Sequence, residues 1–177
     1  MSNDMAEAFS NLAEGLIALT RQSHAGFVLS SVAMLEHDLQ RCLLAQMRPL
    51  SSAVRKRLFD SYGPLSTFSA KIDLAFAFSI IGPESYDEFS KIKKIRNSFA
   101  HSKDLLCLDQ EPILSLFRKL KRPKGVAGAY PKVFVECVIA LDDELEQFLV
   151  GKGIKDDIRS RNLAPLATLG DGGQAAN

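Results

Sequence analysis

Three polar residues near the middle of the chain, Arg96, Asn97 and His101, have types and a spacing that could bind an anion. On a helix, residues four positions apart share a face, so Asn97 lies beside His101 and the long Arg96 side chain can reach the same edge. The guanidinium supplies planar donors, the imidazole a titratable proton and the amide a fixing hydrogen bond. Together they could hold a phosphate, and on RNA the imidazole could act as a general acid or base at a 2′-hydroxyl. The alternative is structural, with the three side chains joining the helix end to its neighbours.

A second polar cluster, Glu36, His37 and Asp38, lies in an otherwise apolar stretch. Glu36 falls at the rim of an apolar helical stripe, where a carboxylate needs a partner. If the helix that carries Glu36 packs against the helix that carries Arg96, the two side chains are natural partners. The sequence therefore predicts a structural ion pair between Glu36 and Arg96. His37 and Asp38 are expected to face water.

Other catalytic and metal-binding patterns are missing from the sequence. The three histidines never stand at the i, i+4 spacing of a helical zinc pair, and we find no CxxC, no GxSxG elbow and no glycine-rich phosphate loop. We therefore predict a protein without metal or cofactor that is not an enzyme. Cys42, Cys107 and Cys137 each stand among apolar residues, as buried reduced thiols do, which favours a cytoplasmic location. No apolar run is long enough to span a bilayer, so no membrane contact is predicted.

Charge is distributed unevenly although the formal net charge is only +1. Residues 91–124 carry ten Lys or Arg against three acids, whereas residues 136–157 carry seven acids against two lysines. Such asymmetry favours self-association or the docking of a charged partner; the plain alternative is two solvated helix faces. The candidate binding surface comprises Lys91, Lys94, Arg96, Asn97, His101 and Lys103.

The spacing of apolar residues predicts an all-α fold, a single compact bundle of about seven helices without strands or internal repeats. The predicted helices span residues 5–20, 23–47, 53–60, 66–81, 85–101, about 109–120, and 131–150. Ser51 and Ser66 are the expected N-caps of the third and fourth helices. Residues 1–150 form the predicted domain, and residues 151–177 are expected to form a short turn and a disordered tail.

The helix predicted over residues 66–81 is apolar on nearly every side, a pattern typical of a helix buried at the centre of a bundle. The next helix, 85–101, is apolar on one face and basic on the other. Connections of two to eight residues predict mostly antiparallel neighbours.

Two segments, Leu58–Ile72 (LFDSYGPLSTFSAKI) and Ile95–His101 (IRNSFAH), resemble the mannitol operon repressor family of bacteria. The resemblance covers roughly residues 20–150. It implies a small all-helical transcriptional regulator of mannitol or sugar-alcohol metabolism, repressor-like, that acts mainly through contacts with other proteins of a transcription or sugar-uptake system.

The spacing from Arg96 to His101 also resembles the motif of HEPN domains, many of which are ribonucleases. That resemblance implies that Arg96 and His101 are catalytic and Asn97 supporting, in a cleft between two copies of the chain. A homodimer is therefore predicted.

Direct reading of DNA bases is not predicted, because no segment joins a short turn to a polar recognition helix. The nearest imitation, the connection over residues 61–65, leads into an apolar helix that could not enter a groove. Contact between the basic segment and a nucleic-acid backbone stays open.

Overall fold

The computed structural model describes residues 2–102, 106–108, 110–121 and 130–154, with side chains from His24 onward except those of residues 130 and 131. This part of the chain forms helices and turns without a strand, which confirms the predicted all-α class. Its helices are α1 (Ser2–Gln46), α2 (Ser52–Phe59), α3 (Phe68–Ala77), α4 (Pro83–His101), α5 (Ile113–Phe117) and α6 (Tyr130–Gly151). Of the predicted tail, residues 155–177 lie outside the described residues.

The first helix, α1, is one unbroken helix of 45 residues. The sequence predicts two helices here, so that prediction is wrong. Ser23 and Gly26 are weak helix formers, but each costs at most about 1 kcal/mol relative to Ala in a helix interior. Ending and restarting a helix requires a new nucleation step, which is unfavourable, so the backbone continues through both residues.

Parallel packing of α1 and α6 organises the bundle. Near the starts of the buried segments the rings of Phe27 and Phe134 meet with centroids 5.9 Å apart. Further along both helices the Cys42 thiol donates to the Leu145 carbonyl oxygen at 3.4 Å. The contacts advance in the same direction, so the prediction of mostly antiparallel neighbours does not hold for this pair.

Antiparallel packing does hold between α3 and α4. Lys93 Nζ donates to Ser69 Oγ at 2.9 Å, and the Tyr86 hydroxyl donates to Asp73 Oδ1 at 2.9 Å. The start of α3 therefore faces the later part of α4.

The centre of the core is formed by α1, not by α3. Val28, Val32, Leu35 and Leu39 are at most 1% exposed and lie between α3, α4 and α6. Burying each such aliphatic side chain contributes about 1.5–3 kcal/mol to stability.

The apolar helix α3 is shorter than predicted and buried on one side only. Ile72 and Ala75 are buried, whereas Phe76 and the following Phe78 are about two-fifths exposed at 41% and 40%. The helix predicted to be central and buried over residues 66–81 is therefore buried along one face and exposed along the other. The physical reason is that α3 packs mainly against α1 and α4, which cover one face.

Both ends of α3 differ from the sequence prediction by a few residues. Thr67, not Ser66, is the N-cap, because Thr67 Oγ1 accepts the Ala70 N–H at 3.2 Å. The helix ends where Ser79 adopts a left-handed φ of 54°, and the Ile80 N–H then bonds the Ala75 carbonyl at 2.9 Å. This is the hydrogen-bond pattern that closes many helix C-termini, usually with glycine at the left-handed position.

The start of α4 is capped by a side chain from another helix. Its N-cap residue, Gly82, has no side-chain oxygen to offer. Glu144 of α6 replaces it, since Glu144 Oε1 accepts the Gly82 N–H at 3.2 Å and Oε2 accepts the Ser85 hydroxyl. A carboxylate at this end is also favoured by the helix dipole.

Candidate functional site

The outward face of α4 carries the polar residues that the sequence singled out. Lys94, Asn97 and His101 stand three and four positions apart and are all exposed, so they form one stripe along the last two turns. Within the described part of the chain, neither the Lys94 ammonium nor the His101 imidazole has an ion-pair or hydrogen-bond partner. No side chain that the structure describes therefore competes with a ligand for these two groups. Lys103, predicted as part of the same surface, lies outside the described residues.

Arg96 lies at the edge of this stripe and is half-buried. Its Nη1 donates to Asn97 Oδ1 at 3.1 Å, which orients the guanidinium and the amide relative to each other. Two of the three residues predicted to act together are therefore in contact, and the third, His101, is exposed one turn further along.

The predicted ion pair between Glu36 and Arg96 is replaced by a different one. Glu36 Oε1 is 2.7 Å from Lys71 Nζ, and the Lys71 residue is only 5% exposed. Lys71 comes from the buried face of α3, which packs on α1 beside Glu36. A carboxylate at the rim of the core needed a cation, as predicted, but the nearer cation belongs to α3.

Lys91 is committed to contacts within the protein. Its Nζ lies 2.8 Å from Asp87 Oδ2 and 2.7 Å from Glu88 Oε1. Burial would lower the pKa of Lys91, but the hydrogen bonds to both carboxylates outweigh burial and raise it. Glu88 in turn accepts the Lys121 N–H at 3.1 Å and so joins α4 to the segment after α5. The candidate surface is thereby reduced to its C-terminal half, Lys94 to His101.

Phe76 on α3 is an exposed aromatic residue that the sequence predicts to be buried. Phe76 stacks on Tyr86 of α4 with centroids 4.7 Å apart, and the Tyr86 hydroxyl is held by Asp73. That hydrogen bond raises the pKa of Tyr86 above its ordinary value of 10.0. No sequence signal separated these rings from core residues, because an apolar helix predicts burial on every side.

Two of the three cysteines are thiols buried in the core. Cys42 and Cys137 are buried, as predicted, and Cys107 is half-buried. Burial raises the pKa of Cys42 and of Cys137 to about 12, so both stay as thiols at neutral pH. No group of three His, Cys, Asp or Glu within the described ranges could hold a metal ion.

The arrangement on α4 can do two things chemically. An exposed ammonium, a half-buried guanidinium and an imidazole at the C-terminal half of one helix attract an acidic group, such as a carboxylate or a phosphate. The Asn97 amide can also donate a hydrogen bond to a ligand, and the His101 ring can donate or accept one.

Among the helices that the structure describes, none is both long and apolar enough to cross a membrane.

Comparison with known proteins gives one weak structural likeness. No protein-family model matches the sequence, and no curated protein sequence matches it. The X-ray structure of the MtlR–HPr complex from Escherichia coli is similar with a TM-score of 0.47 and 17% identity, over 78% of this chain and 92% of that chain. A likeness of this size carries no argument about family or function.

Proposed function

We propose that the protein is a non-enzymatic, repressor-like regulator of mannitol or sugar-alcohol metabolism that acts through contacts with other proteins. Its docking surface is the stripe of Lys94, Asn97 and His101 on α4, together with Arg96 at the edge of the stripe. The regulated pathway is inferred from the resemblance of the segments 58–72 and 95–101 to the mannitol operon repressor family. The mode of action is inferred from the chemistry of the stripe.

The observation that carries the docking proposal is that Lys94 and His101 are exposed and have no ion-pair or hydrogen-bond partner among the described side chains, whereas their neighbour Lys91 is paired. Lys91 is neutralised by Asp87 and Glu88 at 2.8 and 2.7 Å. Lys94 and His101 keep their donors available on the same helix. An acidic surface of a partner protein would therefore be attracted to the C-terminal half of α4 and oriented there by the Arg96–Asn97 pair.

The pathway is tested by deleting the gene and measuring the mannitol-operon transcript with and without mannitol. We expect a changed transcript level in the deletion strain; an unchanged level under both conditions contradicts the proposal.

The docking surface is tested by complementing the deletion with charge-reversed variants. Lys94→Glu combined with His101→Glu should behave like the deletion, because the partner's acids would be repelled. Lys119→Glu, a reversal at another exposed lysine, is the matched control and should complement fully. Complementation by the Lys94/His101 variant would exclude this surface. Crosslinking in cells grown on mannitol, followed by mass spectrometry, would identify the partner.

A ribonuclease of HEPN type is the second candidate. It is favoured by the 3.1 Å hydrogen bond between Arg96 and Asn97 and by the exposure of His101, which leave all three side chains accessible from solvent. The second copy of the site would come from a homodimer. Purified protein and a His101→Ala variant are incubated with RNA, and only cleavage that the variant lacks supports this function. A monomer at micromolar concentration in sedimentation would count against it.

A further inference from the structure

A second basic surface, on α2 and the turn that follows it, has no part in the function proposed above. From Leu39 to Phe59 the chain carries five Lys or Arg and no acid. Arg41 is paired with Asp38 at 2.9 Å. The others, Arg48, Arg55, Lys56 and Arg57, are exposed.

These four cations have no ion-pair partner in the part of the chain that the structure describes. Asp60, the next acid along the chain, is exposed and is not paired with them. Four positive charges within ten residues, with no acid paired to them in the described ranges, repel each other and attract a polyanion.

Beside these charges, a tyrosine is presented fully to solvent. Tyr62 is 103% exposed, and no hydrogen bond or ring contact in the described structure holds its side chain. Both faces of this ring are therefore available to a partner that stacks on it.

The turn that carries Tyr62 is closed by backbone hydrogen bonds. The Gly63 N–H bonds the Asp60 carbonyl at 2.9 Å, and the Leu65 N–H bonds the Leu58 carbonyl at 2.8 Å. Ser61 adopts a left-handed φ of 49°, a conformation that costs a non-glycine residue about 1–2 kcal/mol. The ring is therefore held away from the core on a fixed turn next to the basic helix.

We propose that this surface binds single-stranded nucleic acid. Arg55, Lys56 and Arg57 would contact phosphates, and Tyr62 would stack on one unpaired base. The combination of a cationic track with an exposed aromatic ring is the one that sequence-tolerant single-strand binders use. An acidic protein would satisfy the cations but gives no reason for a ring that projects fully into water, and duplex DNA offers no accessible base face.

The test is a fluorescence-anisotropy titration of the full chain with a labelled single-stranded DNA oligonucleotide of mixed sequence, over a range of salt concentrations. Arg55→Gln combined with Arg57→Gln should lower the slope of log K against log salt by about 1.4, since each phosphate contact to a single strand contributes about 0.7. Lys119→Gln combined with Lys132→Gln removes the same charge elsewhere and should leave the slope unchanged.

The stacking step is tested separately. Tyr62→Ala should weaken binding by about tenfold and Tyr62→Phe by less than about twofold, because the ring and not the hydroxyl provides the stacking energy. Thermal unfolding of the Tyr62 variants should match the parent chain, as expected for a fully exposed residue.

Absence of binding at low salt overturns the proposal, as does equal affinity for a duplex, or binding that is insensitive to Tyr62→Ala. Equal effects of the α2 pair and the control pair overturn it as well. The titration needs neither mannitol nor a protein partner, so its failure would leave the regulatory proposal standing, and failure of the transcript experiment would leave this one standing.

Discussion

Loss of the Glu36 carboxylate should destabilise the protein more than loss of any exposed ion pair. Glu36→Gln leaves the Lys71 ammonium in a site where its residue is 5% exposed. At the observed N–O distance of 2.7 Å, the lost attraction is about 6 kcal/mol at an effective dielectric constant of about 20. The variant also avoids the cost of desolvating the carboxylate, and this gain offsets part of the lost attraction.

A net loss of about 2–3 kcal/mol in the free energy of unfolding follows. This lies at or below the lower end of the ~3–5 kcal/mol typical of breaking a fully buried pair, because the Glu36 side chain is 24% exposed and partly solvated. Replacing both residues, Glu36→Leu with Lys71→Met, removes the unpaired charge and should restore most of the stability.

The matched comparison is the pair of Arg118 and Glu111, which has the same 2.7 Å separation but side chains that are both 54% exposed. Double-mutant cycles on the two pairs, measured by urea unfolding followed by circular dichroism, give two coupling energies. We expect about 2 kcal/mol for the inner pair and below about 1 kcal/mol for the outer pair. Equal coupling energies would refute the reasoning that burial decides the strength of the contact.

Three further predictions concern single residues. Gly63→Ala should cost about 2 kcal/mol or more in urea unfolding, because an added Cβ would lie 2.4 Å from the Leu58 carbonyl oxygen; a loss below about 0.5 kcal/mol would contradict this contact. Ser79→Gly should stabilise the protein by about 0.5–1 kcal/mol by relieving the left-handed φ of 54°, and an unchanged midpoint would count against that strain. Asp73→Ala should lower the pKa of Tyr86 toward 10.0, as followed by tyrosinate absorbance. Because the hydrogen bond raises the pKa in the folded state, its stabilisation is complete below pH 10.0 and is lost as the pH rises through the raised pKa. Identical titration curves of the variant and the parent chain would disprove the bond.

Local signals in the sequence were sufficient for several elements. Ser51 caps α2, as predicted, with its hydroxyl accepting the Val54 N–H at 3.4 Å. α6 at Tyr130–Gly151 and α4 at Pro83–His101 begin and end within two residues of the prediction. These helices have one clear apolar face each or a terminating residue, and such features depend on nearby residues alone.

The burial of α3 could not be predicted, since it depends on which helices are available to cover it. Phe76 and Ile72 are equally apolar and their spacing of four suits one face of a helix. Ile72 is nevertheless buried, whereas Phe76 lies at the rim, where it contacts Tyr86 of α4 and stays 41% exposed. The parallel packing of α1 and α6 could not be predicted either. Connection length indicates direction only for consecutive helices, and α1 and α6 are not consecutive.

The candidate site shows the same division. The exposure of Asn97 and His101 follows from helical spacing, whereas the partner of Glu36 does not. Which of Arg96 and Lys71 pairs with that carboxylate depends on the positions of α3 and α4 along the axis of α1. A cation at either position satisfies the sequence pattern equally well, and only the three-dimensional register separates them.

The cap that Glu144 places on α4 has a consequence for synthesis on the ribosome. The Gly82 N–H and the carboxylate that binds it are 62 residues apart in the chain. Until residue 144 has been added to the nascent polypeptide, the N-terminus of α4 lacks this cap. The N-terminus of α4 can therefore be capped only after translation has reached the second half of α6, so that a later part of the chain stabilises an earlier helix.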